Sequence, residues 1–352
     1  MNLDQVEKIA EAVLYEGYML YPYRPSSVKN RQRWNFGVLC PPLYCEQQHG
    51  TERDTMQTEV LVRGTLGSRL TVKVRFLQII RRSIGRLRAP VNSLPPDNTP
   101  AFDYVERLEA AGRMYQPWQE AIERELFSEE VELAALATPT STSFDFPAKE
   151  EVEPVRSDDG EVVGIIARDS ERLSGTAKIS AERLHDDIFK IRVLIHNHSH
   201  FVPASEGLRE QVVLFSLVSA HTILGVEEGE FVSLLEPPAD LEVLAANCEN
   251  IGTWPVLVGE KDSRQSMLSS PIILYDYPQI APESPGSLFD GTEIDEILSL
   301  RIMTLTDDEK REIRQSDDRA REILDRTENL PEEQFAKLHG ALRNLQSVRE
   351  EA

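Results

Sequence analysis

The most restrictive feature of the sequence is an alternation. Between residues 70 and 76, Leu70, Val72, Val74 and Phe76 occupy one parity while Thr71, Lys73 and Arg75 occupy the other. A period of two fits an extended chain with one buried face and does not fit a helix. The spacing predicts a strand pair over 59–66 and 70–80, joined by a turn at Gly67 and Ser68. The same pattern returns at Phe189, Ile191, Val193 and Ile195, with Lys190 and Arg192 on the wetter side. Two distant segments therefore ask for sheet.

Other segments read as helix. Val6, Ile9, Ala10, Val13 and Leu14 fall on one stripe with Leu3, opposite Asp4, Glu7, Lys8 and Glu11, so residues 3–14 read as an amphipathic helix. Residues 102–113 and 117–136 read as partly helical. Residues 208–224 are apolar nearly all round, which predicts a buried helix packed on the central sheet. Thr306 stands three residues before Glu309 in a capping-box pattern, and Thr292 before Asp295 in a weaker one. A last helix begins near Pro331 with Phe335, Leu338, Leu342 and Leu345 on one face. The expected fold class is α+β: an N-terminal α/β unit with a strand pair, a central antiparallel sheet packed with a buried helix, and a helical C-terminal segment. The expected units are a basic α+β domain over 1–137, a polar linker over 138–160, a central α+β domain over 161–290 and a helical appendage over 291–352.

Charge divides the chain further. The 352 residues carry a formal net charge of −22, yet residues 1–100 hold 14 Lys/Arg against 9 Asp/Glu, net +5. The other 252 hold 24 against 51, net −27. No acidic residue lies between Val60 and Pro96, where Arg63, Arg69, Lys73, Arg75, Arg81, Arg82, Arg86 and Arg88 fall. These cations either pair with the acidic remainder of the chain or form a docking face for an acidic partner or phosphate-bearing ligand. The overall charge argues against nucleic acid and anionic membrane as partners. No run of eighteen apolar residues and no signal-peptide pattern occurs, and three cysteines fit a reducing compartment, so a cytoplasmic protein without membrane insertion is expected.

Candidate chemistry is sparse. His196, His198 and His200 form an H-x-H-x-H string at a strand end, where period two puts all three on one face. Two such imidazoles can share a transition metal, with Glu206, Glu210 or His221 as a further ligand. Solvated or hydrogen-bonded histidines at a polar strand end give the same string. Cys40, Cys45 and His49 form a second metal candidate, but a C-x4-C spacing lacks the tight C-x2-C knuckle and also suits ordinary packing. No P-loop, no G-x-S-x-G elbow and no G-x-G-x-x-G motif is present, so no cofactor and no catalytic residue is expected from motifs.

Four strings are distinctive: LYEGYMLYPYRPSSVKNRQRWNFGVL over 14–39, GEFVSLLEPP over 229–238, NIGTWPVLVGE over 250–260 and LSSPIILYDYPQIAPESPGSLFDGTEIDEILSLRIMTLTDDEKRE over 268–312. Together they resemble an uncharacterised family of bacterial proteins associated with gene clusters for uptake-type nickel-iron hydrogenases. The resemblance implies a cytoplasmic accessory, maturation or assembly role and brings no catalytic residues. The leading expectation is a non-catalytic factor that binds a protein partner, such as a hydrogenase subunit or maturation protein, through the basic aromatic stretch 21–36. Arg24, Arg31, Arg33 and Trp34 are the expected contacts, since Arg and Trp favour interface anchors. The alternative is a metal-dependent enzyme or metal-handling protein centred on His196, His198 and His200.

Overall fold

The computed structural model describes residues 3–14, 36–95, 100–201, 209–279, 305–316, 321, 324–325 and 327–329. The strands are β1 (Thr55–Val91), β2 (Phe102–Tyr104), β3 (Leu108–Ala110), β4 (Arg113–Tyr115), β5 (Trp118–Phe127), β6 (Val131–Glu132) and β7 (Thr140–Phe146). They continue with β8 (Lys149–Arg156), β9 (Val162–Ser170), β10 (Leu173–Arg183), β11 (Ile188–Asn197), β12 (Val218–Val232), β13 (Trp254–Leu257) and β14 (Ser266–Ser270). The helices are α1 (Leu3–Leu14), α2 (Pro42–Gln47), α3 (Arg209–Val212), α4 (Glu242–Ala246) and α5 (Asp307–Ser316). Twelve of the strands form one antiparallel sheet, and β3 and β4 form a separate pair. The chain is thus mostly β, which corrects the expected α+β class with its buried helix and helical C-terminal segment.

The sheet is organised by β1, whose 37 residues carry partners along both edges. Residues 55–63 pair with β11 and residues 61–77 with β12. Because 61–63 serve both, β11 and β12 lie on opposite edges. Farther along, residues 73–82 pair with β5 and 80–91 with β9. The expected strand pair is therefore one strand with a bulge. The register against β12 shifts between Gly64 and Arg69, and Ser68 fills the irregularity by donating to the Glu228 carbonyl and accepting from the Thr65 amide at 2.8 Å. A Cβ on Gly64 would stand 2.6 Å from the Ser68 hydroxyl, so the bulge needs glycine there.

The parity reading of the core is correct. Leu70, Val72, Val74 and Phe76 of β1 share one buried cluster with Phe189, Ile191, Val193 and Ile195 of β11. On the other face of the sheet, Val6, Ile9, Ala10 and Val13 of α1 pack on Ile223, Val256, Val258 and Leu268. Leu14 joins Leu77, Ile79 and Val218 there. This double burial explains the missed element at 208–224: only 209–212 is α-helical, a short 3-10 turn covers 213–215, and β12 begins at Val218. A strand covered on both faces loses its alternation and reads as an all-round apolar helix.

Residues 140–156, inside the stretch expected to be a linker, form one arm of a long hairpin. Thr140 pairs with Ile179, Phe146 with Leu173, Lys149 with Ser170 and Val155 with Gly164, a constant register across both strand pairs. The sheet takes strands from both sides of this stretch. Residues 102–104 and 118–127, expected as partly helical, are strands on β1. The Thr306 capping box is present: the Glu309 carboxylate accepts from the Thr306 amide at 2.9 Å and the Thr306 hydroxyl from the Glu309 amide at 3.3 Å. Thr292 and the helix expected from Pro331 lie outside the described residues.

Candidate functional site

The end of β11 gathers most of the singled-out side chains. His196 pairs across the ladder with Thr55 of β1 and Thr176 of β10, and its partly exposed ring faces away from the core as the alternation required. Its Nε2 lies 3.2 Å from Asp54 Oδ2, and its ring centroid stands 4.1 Å from that of His198. His198 Nε2 lies 3.1 Å from the Thr176 hydroxyl. Partial burial, with the His196 ring as a second cause, holds the His198 imidazole below the ordinary histidine range. Between them, Asn197 points inward and ties the strand end down, donating to the carbonyls of Leu39 at 2.8 Å and Phe215 at 2.9 Å.

The cysteines sit beside this row. Cys40 is buried and its Sγ faces Glu52 Oε2 at 3.7 Å, while Cys45 Sγ points to the Cys40 carbonyl at 3.8 Å. Glu52 is held by Arg209. Burial pushes both thiols up to about 12, with Glu52 the next cause for Cys40 and Asp54 for Cys45. Both are protonated at neutral pH, and a thiol rather than a thiolate is a poor nucleophile and metal ligand. His49 is exposed in the turn after α2 with φ of 52°. His200 is exposed beyond the strand end.

The structure thus brings together His196, His198, Cys40 and Cys45, and adds Asp54, Glu52, Thr176 and Arg209, which sequence reasoning missed. Nothing in the sequence links Asp54 to a histidine 142 residues away. Among the described residues no three His, Cys, Asp or Glu side chains converge to hold a metal ion. Glu210 lies on α3, His221 is fully buried on β12, and Glu206 is outside the described residues. Among the described residues the histidine pair has no third ligand. What it offers is two adjacent imidazoles, His196 oriented by the Asp54 carboxylate and His198 by the Thr176 hydroxyl.

The basic run of β1 is largely compensated within the chain. Arg63 pairs with Asp240 at 3.1 Å, Arg69 with Glu227 at 2.6 Å, Lys73 with Glu7 at 3.0 Å and Arg75 with Glu123 at 3.1 Å. Arg81 pairs with Asp169 at 3.6 Å, Arg82 with Glu120 at 3.2 Å and Arg88 with Asp103 at 2.7 Å. The exposed pairs among these, such as Arg63, Arg69 and Arg88 with their carboxylates, add little stability, but together the pairs remove the run as an open cationic face. Arg24, Arg31, Arg33 and Trp34 lie outside the described residues.

One buried carboxylate is structural. Glu59 is 1% exposed and accepts from Arg192 Nε at 2.6 Å and from the Glu249 amide at 2.8 Å. The Asn250 side chain meets the Glu59 amide at 2.9 Å and carbonyl at 3.1 Å, imitating a strand where β12 has stopped. These bonds fasten the 249–251 loop to β1.

Apolar side chains are exposed around the β13 end. In 271–277 the alternation is explicit: Ile272 and Leu274 pack on the α1 cluster, while Ile273 and Tyr275 are 73% and 85% exposed. Trp254 on β13 and Leu235, just after β12, are also exposed. An open groove of about 580 Å³ lies elsewhere, lined by Phe102, Tyr104, Val152 and Ile165 together with Arg81 and Asp169. No described helix is long and apolar enough to cross a membrane. No protein-family model matches the chain, and no curated protein matches it.

Proposed function

We propose that this chain is a non-catalytic cytoplasmic accessory or assembly factor that binds a protein partner. The partner class, a subunit or maturation protein of a nickel-iron hydrogenase, comes from the sequence resemblance alone. The observation that carries the binding reading is the outward display of Ile273 and Tyr275 from a segment whose alternate residues are locked into the core. Large apolar side chains held rigidly in water mark a contact surface more often than a catalytic one. The groups with chemical potential support the same reading, because the two thiols are held protonated and the β1 arginines are paired within the chain. The stretch 21–36, with Arg24, Arg31, Arg33 and Trp34, supplies the second half of the proposed contact.

The test is affinity recovery of partners from host cells carrying the tagged full chain. Ile273→Asp with Tyr275→Asp, and separately charge reversal at Arg24, Arg31 and Arg33, should each lower recovery and hydrogenase activity while leaving the fold intact by circular dichroism. Unchanged recovery and activity in both variants contradicts the proposal.

A further inference from the structure

A sheet edge is a row of unpaired amides and carbonyls, and proteins blunt such edges with proline, charge or a covering segment. The edges of this sheet differ in that respect. On β13, Pro255 has no N–H to present, and the outward groups of Leu257 are occupied: its amide donates to Asp276 Oδ1 at 2.8 Å and its carbonyl accepts from the Tyr277 amide at 2.7 Å. The edge strand β8 contains Pro154 and the carboxylates Glu150, Glu151 and Glu153. On β5 stand Glu120, Glu123, Arg124 and Glu125, and β2 is three residues long. By contrast β7, Thr-Ser-Thr-Ser-Phe-Asp-Phe, has no proline and no cation, and its single acid is already paired, Arg172 holding Asp145 at 2.7 Å. It pairs with β10 over all seven residues and is the last strand of the sheet on that side.

This edge is also anchored at the end that carries Phe144 and Phe146. Phe144 fits where Gly175 has no side chain, since a Cβ there would stand 2.4 Å from the ring, and its centroid lies 5.5 Å from that of Phe76. Phe146 lies 6.1 Å from Phe76 and beneath the Arg124 guanidinium at 4.4 Å. A strand held in this way needs no reordering to accept a neighbour.

We propose that the outer edge of β7 is a docking edge for an extended basic segment of a partner protein, which joins the sheet as a further strand. Backbone pairing supplies the affinity, and alternate side chains of the incoming strand cover Thr140 and Thr142 on the inner side and meet Ser141 and Ser143 on the outer. The charge of the occupant follows from the surroundings. Residues 101–352 carry a net charge of −27, and residues 140–161 hold seven acids against Lys149 and Arg156, so the arm stays net negative although Lys149 pairs with Glu151 and Arg168 with Glu153. This surface is separate from Ile273 and Tyr275 and does not depend on the partner reading of that face.

The probe is a nine-residue peptide alternating lysine or threonine with valine, titrated by fluorescence anisotropy against the full chain. It should bind, and its counterpart N-methylated at alternate backbone nitrogens, a version with glutamate for lysine, and the chain variants Ser141→Pro and Ser143→Pro, at amides that face away from β10, should each bind about tenfold more weakly or not at all. The N-methylated peptide keeps the test valid if a proline variant does not fold. No binding, equal binding of the N-methylated or glutamate peptide, or a dimer of the chain that the proline variants abolish would each overturn the proposal. Loss of partner recovery on Ile273 and Tyr275 substitution leaves these titrations unaffected, so the two ideas fail separately.

Discussion

The two ends of the large sheet are built from the same kind of strand and finished differently. At the β13 end, Asp276 and Tyr277 close the outer edge and α1 covers the adjoining face. At the β7 end, seven residues present an outer edge without proline or lysine, although their inner face is anchored by two phenylalanines. The lesson is that anchoring a strand and closing its edge are separate tasks. Phe144 and Phe146 do the first for β7, and nothing among the described residues does the second.

Substitutions can break either side of this contrast. Phe76→Ala removes the fully buried ring against which both β7 phenylalanines rest and should cost about 3–5 kcal/mol in denaturant unfolding. A cost under about 1 kcal/mol would mean that β7 is not anchored through this contact. At the closed end, His221 shares the parity of Ile223 on the face under α1, is completely buried, and burial pushes its imidazole down to about 4. The unfolded chain takes up a proton below about 6.5 while the folded chain resists until about 4. Stability is therefore full above pH 6.5 and falls as pH drops toward 4, by about 3 kcal/mol in all. His221→Asn should flatten that slope in pH-dependent melts, and an unchanged slope would remove His221 as its source.

Smaller effects sharpen the picture. Asp276→Ala unbinds the Leu257 amide and the Ser233 hydroxyl, which Asp276 accepts at 2.6 Å, and should cost about 1–3 kcal/mol with faster exchange at Leu257. Pro255→Ala should change stability by only about 0.5 kcal/mol while adding an outward amide to β13. If that amide proved as protected as its ladder neighbours, the edge geometry assigned to β13 would be wrong.

The sequence was most legible where one face of an element is wet. The stripe of α1, the alternation of Leu70 to Phe76 and that of Phe189 to Ile195 each identified the correct element and core face. It was least legible at the two extremes of burial. β12, covered on both faces, lost its period and read as a helix, whereas 140–156, exposed on most positions, read as a linker. The glutamates of 118–127 favoured helix locally, yet pairing along β1 overrode that preference. At the candidate site the histidines were visible as a string, but Asp54, Glu52 and Arg209 join them only through the meeting of β1, β11 and α3, which no local spacing encodes.

The most direct test of the central contrast is residue-resolved amide hydrogen exchange on the full chain under native conditions. Every second amide from Thr140 to Phe146 should exchange rapidly while the amides between them, and those of Leu257 and Tyr277, stay protected. Uniform protection along β7, or rapid exchange at Leu257 and Tyr277, would contradict an open edge at one end and a closed edge at the other.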